Sequence, residues 1–160
     1  MNVGILGAGA LGQPFGKYVA DGGADLTYIV KEKYREETER GFRLHRHRTF
    51  GGPVAEQFDN YDVLVDYDRV AEVDWDHVWL CVSSPAIRGE WLEEFLDAIG
   101  ETTLVSIQPG LGDREFLEQK YPASRIVSVR VSLIAYPTPL PGEDLPEGDV
   151  AYYMPPGERI

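Results

Sequence analysis

Gly7, Gly9 and Gly12 follow directly on the short apolar run Val3–Leu6 and precede a helical pattern. The segment Gly7-Ala8-Gly9-Ala10-Leu11-Gly12 fits G-x-G-x-x-G in a strand–turn–helix frame, the spacing that seats a dinucleotide pyrophosphate. Gly7 suits the tight turn, Gly9 lacks the Cβ that would meet the phosphates, and Gly12 lets the helix pack close to the strand. The chemistry is anion binding by free backbone N–H groups at the positive end of a helix. These six residues are the first candidate cofactor ligands.

The second apolar run, Leu26–Val30, ends where an NAD-binding chain places Asp or Glu to hold the ribose hydroxyls. Here the next residue is Lys31, and Lys33 and Arg35 follow. A carboxylate would repel a 2′-phosphate; an ammonium attracts it, with about 1.5–3 kcal/mol for one charge-assisted hydrogen bond. The expected cofactor is therefore NADP(H), with Lys31 as its 2′-phosphate ligand. Glu32 is the dissenting residue: turned toward the ribose, it would admit NAD.

The remaining reactive side chains carry less. Cys81 lies in an apolar run with no base nearby and is expected to be a buried structural thiol. His45 and His47 share a strand face at i, i+2 spacing, but Arg43, Arg46 and Arg48 crowd them and no third ligand is evident, so no metal is expected. Ser84 with Pro85 reads as an N-cap followed by proline in the first helical position, leaving Ser83 to touch the cofactor. Trp75, Trp79 and Trp91 read as packing residues.

The elements that must position these groups alternate. After the glycine turn, Leu11, Phe15 and Val19 make one helix face, Pro14 falls in its first turn, and Asp21-Gly22-Gly23 ends it. Residues 31–40 are charged and expected to be helical. Phe42–Phe50 reads as a strand closed by Gly51-Gly52-Pro53, and Val63–Val65 as a further short strand. His77–Val82 is a third strong strand, followed by a helix with Ile87, Trp91, Phe95 and Ile99 on one face and a stop at Gly100. Thr103–Ile107 is a strand ending in Gln108-Pro109-Gly110-Leu111-Gly112, and Asp113 caps a short helix to about Lys120. Ile126–Ile134 reads as one long strand, Tyr136–Gly148 as a proline-rich loop, and Val150–Tyr153 as a last strand. This alternation predicts an α/β fold with a doubly wound, mainly parallel sheet in one dinucleotide-binding domain over 1–160. Ligands in such sheets lie at the strands' C-terminal ends, here Gly7–Gly12, Lys31, Val82–Ser84 and Gln108–Gly110; that geometry, with the resemblance described below, adds Val82, Ser83, Ser84, Gln108 and Pro109 to the candidate cofactor ligands.

Composition bounds the partners. The 160 residues carry 15 basic and 27 acidic side chains, a net charge of −12, which argues against nucleic acid and anionic membrane surfaces. The charge is uneven: residues 31–48 hold seven basic against four acidic groups, and residues 56–76 eight acidic against Arg69 alone. No apolar run approaches the roughly 20 residues of a membrane span, and the N-terminus does not read as a secretory signal. One cysteine excludes an intrachain disulfide, and the cytoplasm is the expected compartment.

The opening VGILGAGALGQPFGKYVADGGADLTYIVK and the block from Asp76 to Gly112, with its strand DHVWLCVSS and its turn Gln108-Pro109-Gly110-Leu111-Gly112, resemble the N-terminal domain of the ketopantoate reductase (2-dehydropantoate 2-reductase) family. The resemblance implies a Rossmann domain, NADPH-dependent reduction of a small 2-keto acid to a 2-hydroxy acid, and Lys31 in the place of an arginine that holds the 2′-phosphate. Three departures accompany it. Ser83 stands where the family carries a lysine, and Pro109 where it carries an asparagine. The family's helical second domain, with its catalytic lysine, is not expected within these 160 residues, so the chain alone is expected to be inactive. A helical C-terminal domain or a homodimer partner would complete it. The alternative reading is a non-catalytic NADP(H)-binding or sensing module.

Overall fold

The computed structural model describes residues 1–155. Strand β1 (Asn2–Leu6) runs into helix α1 (Gly12–Asp21), which returns the chain to β2 (Asp25–Ile29). A 3-10 turn (Glu32–Tyr34) and the short α2 (Arg35–Glu39) lead to β3 (Phe42–Arg46) and β4 (Val54–Phe58). After β5 (Asp62–Leu64) come α3 (Tyr67–Ala71), β6 (His77–Leu80), a 3-10 turn (Ala86–Arg88), α4 (Trp91–Ile99) and β7 (Thr103–Ser106). The chain continues through α5 (Asp113–Glu118), β8 (Ile126–Ser128), β9 (Ile134–Pro137) and β10 (Val150–Tyr153).

Six strands form one parallel sheet in the order β5-β2-β1-β6-β7-β8. The order reverses between β1 and β6, the switch point at which a doubly wound sheet opens its crevice. A parallel sheet must be covered on both faces, and alternation along β1 shows how. Leu6 faces a core with Leu80, Leu104, and Leu92, Phe95 and Ile99 of α4; Val3 and Ile5 face the other, with Phe15 of α1, Leu26 and Tyr28. The architecture is therefore the expected Rossmann-type α/β fold. Among the described residues no helix is long and apolar enough to cross a membrane.

Four strands form a second sheet, β4-β3-β10-β9, which sequence periodicity did not separate from the first. Strand β10 pairs parallel to β3, with Val150 against Leu44, and antiparallel to β9. This sheet covers the α1 face of the parallel sheet with Phe42, Leu44, Phe58 and Tyr152. The rings of Tyr28, Phe42, Phe58 and Tyr61 join the two sheets at centroid distances of 4.8–5.4 Å.

Several local expectations are corrected; Asp113, expected to cap α5, is its first residue, and Gly112 holds the cap position. The Phe42–Phe50 strand ends at Arg46, and the helix over 31–40 begins as a 3-10 turn. The long strand Ile126–Ile134 is two strands in different sheets, with residues 129–133 crossing between them. Ser84 caps no helix: Pro85 precedes only a single 3-10 turn, and Gly89, extended at ψ 154°, separates that turn from α4.

Candidate functional site

The glycine turn is built by close approach. Gly7 has φ +99°, a conformation that disfavours any side chain, and its N–H donates to the Ile29 carbonyl at 3.0 Å. A Cβ on Gly12 would overlap the Gly7 carbonyl oxygen, so α1 can start this near β1 only with glycine there. Gly9 is the opposite case: it is exposed, and a Cβ placed on it would meet nothing within 4 Å. The Gln13 amide side chain donates to the Ala8 carbonyl at 2.9 Å and braces the turn from inside. No side chain caps α1, and the N–H groups of Ala8, Gly9, Ala10 and Leu11 have no backbone acceptor among the described residues. Free donors, a positive helix end and open space above Gly9 together form a seat for a phosphate-sized anion.

This turn opens into a cleft of about 610 Å³ at the C-terminal ends of β1, β2 and β6. Lys31 lies on its β2 side, where the chain leaves Ile29 and buried Val30 in extended conformation (φ −70°, ψ 147°). Its ammonium is exposed and has no carboxylate within ion-pair distance among the described residues. Glu32 does not line the cleft; it pairs with Arg35 at 3.5 Å. Tyr34, Glu37 and Thr38 continue that wall, and Val82, Ser83, Ala86 and Trp91 form the β6 side. The second sheet closes the cleft with Phe42, Pro137 and the segment Gly148-Asp149-Val150.

Of the twelve candidate ligands, Gly7, Ala8, Gly9, Ala10, Lys31, Val82 and Ser83 line the cleft. Leu11 and Gly12 lie at the base of the turn, and Ser84, Gln108 and Pro109 lie outside the lining. The polar atoms of two of these are engaged elsewhere. Gln108 Nε2 donates to the carbonyls of Leu80 (2.9 Å) and Val82 (2.8 Å), and its Oε1 accepts from the Ser106 hydroxyl at 2.7 Å. The Ser84 carbonyl accepts from Arg88 Nη1 at 2.5 Å.

Burial pushes the Cys81 thiol up to about 12, as suits an unreactive packing residue. His45, buried on β3, has Nε2 2.7 Å from Asp149 Oδ2, and His47 Nε2 lies 2.8 Å from the Tyr136 hydroxyl. No group of three metal-ligating side chains occurs among the described residues. A second cavity, about 450 Å³ and bordered by Phe15, Trp79 and Leu133, lies toward the opposite end of the parallel sheet, beside Met1 and His77. It lacks the glycine turn's convergent N–H groups.

Sequence reasoning missed Tyr34, Glu37, Thr38, Tyr67, Trp91 and Asp149. Trp91 had a signal as the first residue of the apolar stripe of α4. Asp149 had none, since only the pairing of β10 with β3 brings it to the cleft.

Fold and site together define a Rossmann-type α/β domain with its crevice at the switch point. A family model described as ketopantoate reductase PanE/ApbA matches residues 3–139, and the chain belongs to that family. Among solved structures, a 2-dehydropantoate 2-reductase from Geobacter metallireducens superposes with a TM-score of 0.70 at 21% identity, covering 97% of this chain and 47% of that one. A PanE/ApbA family ketopantoate reductase from Ralstonia eutropha gives 0.66 at 23%, covering 95% and 46%. A D-mandelate dehydrogenase in ternary complex with NADH and anilino(oxo)acetate gives 0.66 at 19%, covering 94% and 45%. The chain thus spans just under half the length of these structures. No curated protein sequence matches it significantly.

Proposed function

We propose that this chain is the NADP(H)-binding part of an oxidoreductase that reduces a small 2-keto acid to a 2-hydroxy acid. The observation that carries the reading is the glycine turn: four N–H groups without backbone acceptors among the described residues, beside a Gly9 that leaves room for a diphosphate. Family membership points to the same reaction class. When bound, a reduced nicotinamide supplies the hydride.

The chain's own residues bind and orient. Ala8, Gly9, Ala10 and Leu11 would donate to the diphosphate, and the positive end of α1 would offset its charge. Lys31, with no carboxylate partner among the described residues and on the β2 side, would hold a 2′-phosphate, which favours NADP(H) over the NADH named for D-mandelate dehydrogenase. With the adenosine half on that side, the other half of the dinucleotide lies toward β6, against Val82, Ser83, Ala86 and Trp91. The apolar members of that wall exclude water from the reacting end.

A second reading, a non-catalytic NADP(H)-binding or sensing module, is favoured by Ser83 and Pro109. Neither can supply positive charge to a substrate carboxylate.

Titration with NADPH and NADH tests the proposal, using quenching of tryptophan fluorescence, since Trp91 lines the cleft. Tighter binding of NADPH than of NADH supports it; binding of neither overturns it. Oxidation of bound NADPH on adding 2-keto acids, in this chain and in any longer parent chain, separates the reductase from the sensor.

A further inference from the structure

The loop that leaves β6 carries Ser83 and Ala86 into the cleft wall, yet no helix holds it. Its only regular structure is the 3-10 turn Ala86–Arg88, and Gly89 disconnects that turn from α4. Ile87, fully buried, anchors its far side in the core, and the polar ties come from the neighbouring loop after β7. Gln108 ties the stem through the carbonyls of Leu80 and Val82. Asp113 ties the far end. Its carboxylate is 2% exposed and lies 2.7 Å from Arg88 Nη2, and it accepts from the Gly110 N–H at 2.9 Å. Arg88 closes the arrangement by donating from Nη1 to the Ser84 carbonyl at 2.5 Å. The fit is tight on the Gly110 side, where a Cβ would overlap the Asp113 carboxylate.

One buried carboxylate thus spans the loops of two adjacent parallel strands, and the exposed Ser83 lies between its ties and those of Gln108. Asp113 itself does not line the cleft. We propose that Asp113 is a positioning residue: through Arg88 it sets the β6 loop against the half of the cleft that receives the nicotinamide end of the dinucleotide. This rests on the NADP(H) reading above. Replacing the charge with a neutral amide frees the guanidinium, and the segment from Ser83 to Ala86 loses its fixed distance from the glycine turn. The β2 side, with Lys31, has no tie to this network among the described residues.

The test compares two ligands on one protein. NADPH spans the whole cleft, whereas 2′-phospho-ADP-ribose keeps the adenosine, 2′-phosphate and diphosphate but lacks the nicotinamide. For Asp113→Asn we expect NADPH affinity to fall at least tenfold and that of the fragment to stay within twofold. Arg88→Met, which removes the ion pair with Asp113 and the bond to the Ser84 carbonyl from a partly exposed side chain, should weaken NADPH severalfold and leave the fragment unchanged; it carries the test should Asp113→Asn fail to fold by circular dichroism. Equal losses for both ligands, or no loss for either, would overturn the positioning role while leaving the NADP(H) reading intact. A wild-type chain that binds neither ligand would remove that reading, and this inference with it.

Discussion

The Tyr28 hydroxyl donates to the Gly12 carbonyl at 2.9 Å and also reaches that of Gln13 at 3.2 Å, so strand β2 holds the first turn of α1 against the sheet. Helix α1 has no side-chain cap, and its start is oriented by this phenol and by the contact between Gly12 and Gly7. Tyr28 is fully buried, and that burial pushes its pKa well above the ordinary phenol value, so it remains a donor at any working pH. The aim of the N–H groups in the glycine turn therefore depends on a residue in the next strand.

Tyr28→Phe removes the donor and keeps the ring. Both carbonyls retain their helical acceptor role, so the loss should be about 0.5–1.5 kcal/mol rather than the larger cost of an orphaned buried group. Urea unfolding with an unchanged slope measures it. The same variant should bind NADPH more weakly, and an unaltered midpoint with unaltered affinity would show the phenol to be idle.

Gly9→Ala separates folding from binding. A methyl there meets nothing within 4 Å, and Gly9 is not among the positive-φ glycines, so stability should stay within about 0.5 kcal/mol of wild type, as for surface changes generally. That methyl stands where the diphosphate would approach, and NADPH affinity should fall at least tenfold. Wild-type affinity in a folded Gly9→Ala protein would place the phosphates elsewhere.

Lys31→Glu tests the choice of dinucleotide. It exchanges attraction for repulsion at a 2′-phosphate, with about 1.5–3 kcal/mol at stake for the lost charge-assisted bond alone. NADPH binding should weaken by an order of magnitude or more and NADH binding far less. Equal losses for the two would remove Lys31 from the 2′-phosphate.

The parallel sheet and its glycine turn were legible because their signals are local: apolar runs, a spaced glycine triplet and helical stripes. The second sheet was not. Strand β10 pairs with β3 across more than a hundred residues, and Val54–Phe58 shows too little apolar alternation to announce β4. That pairing brings Asp149 to the cleft, so its place there was equally invisible. Ser84 illustrates a different loss. Ser-Pro is a good helix start by propensity, but Gly89 interrupts the helix and only a single 3-10 turn forms after Pro85. Gln108 was read as a cofactor ligand from its place at a strand end; its amide donates to two carbonyls that no spacing rule reveals.

Cys81 should resist alkylation although it lies on the cleft wall. Its thiol is pushed up to about 12 by burial, so thiolate is scarce at pH 8. Iodoacetamide should leave the native protein unmodified over hours by mass spectrometry and label one site after denaturation. Rapid labelling of the native chain would contradict the burial of this sulfur.

The Asp113 cluster has a pH signature whose sign follows from its donors. The Ser84 hydroxyl, the Arg88 guanidinium and the Gly110 N–H hold its carboxyl below the usual carboxylate value despite burial. A group whose pKa is lower folded than unfolded stabilises the fold above its unfolded pKa, about 3.9, and loses that contribution as pH falls through the folded value. Wild type should therefore exceed Asp113→Asn in stability by a constant margin between pH 5 and 8. The margin should close from about pH 4 downward, as the wild-type carboxyl takes up a proton and comes to resemble the amide. Urea midpoints for both proteins at pH 7, 5, 4 and 3 measure this. A margin at pH 3 equal to that at pH 7 would show that the shape of the side chain, and not its charge, holds the two loops together.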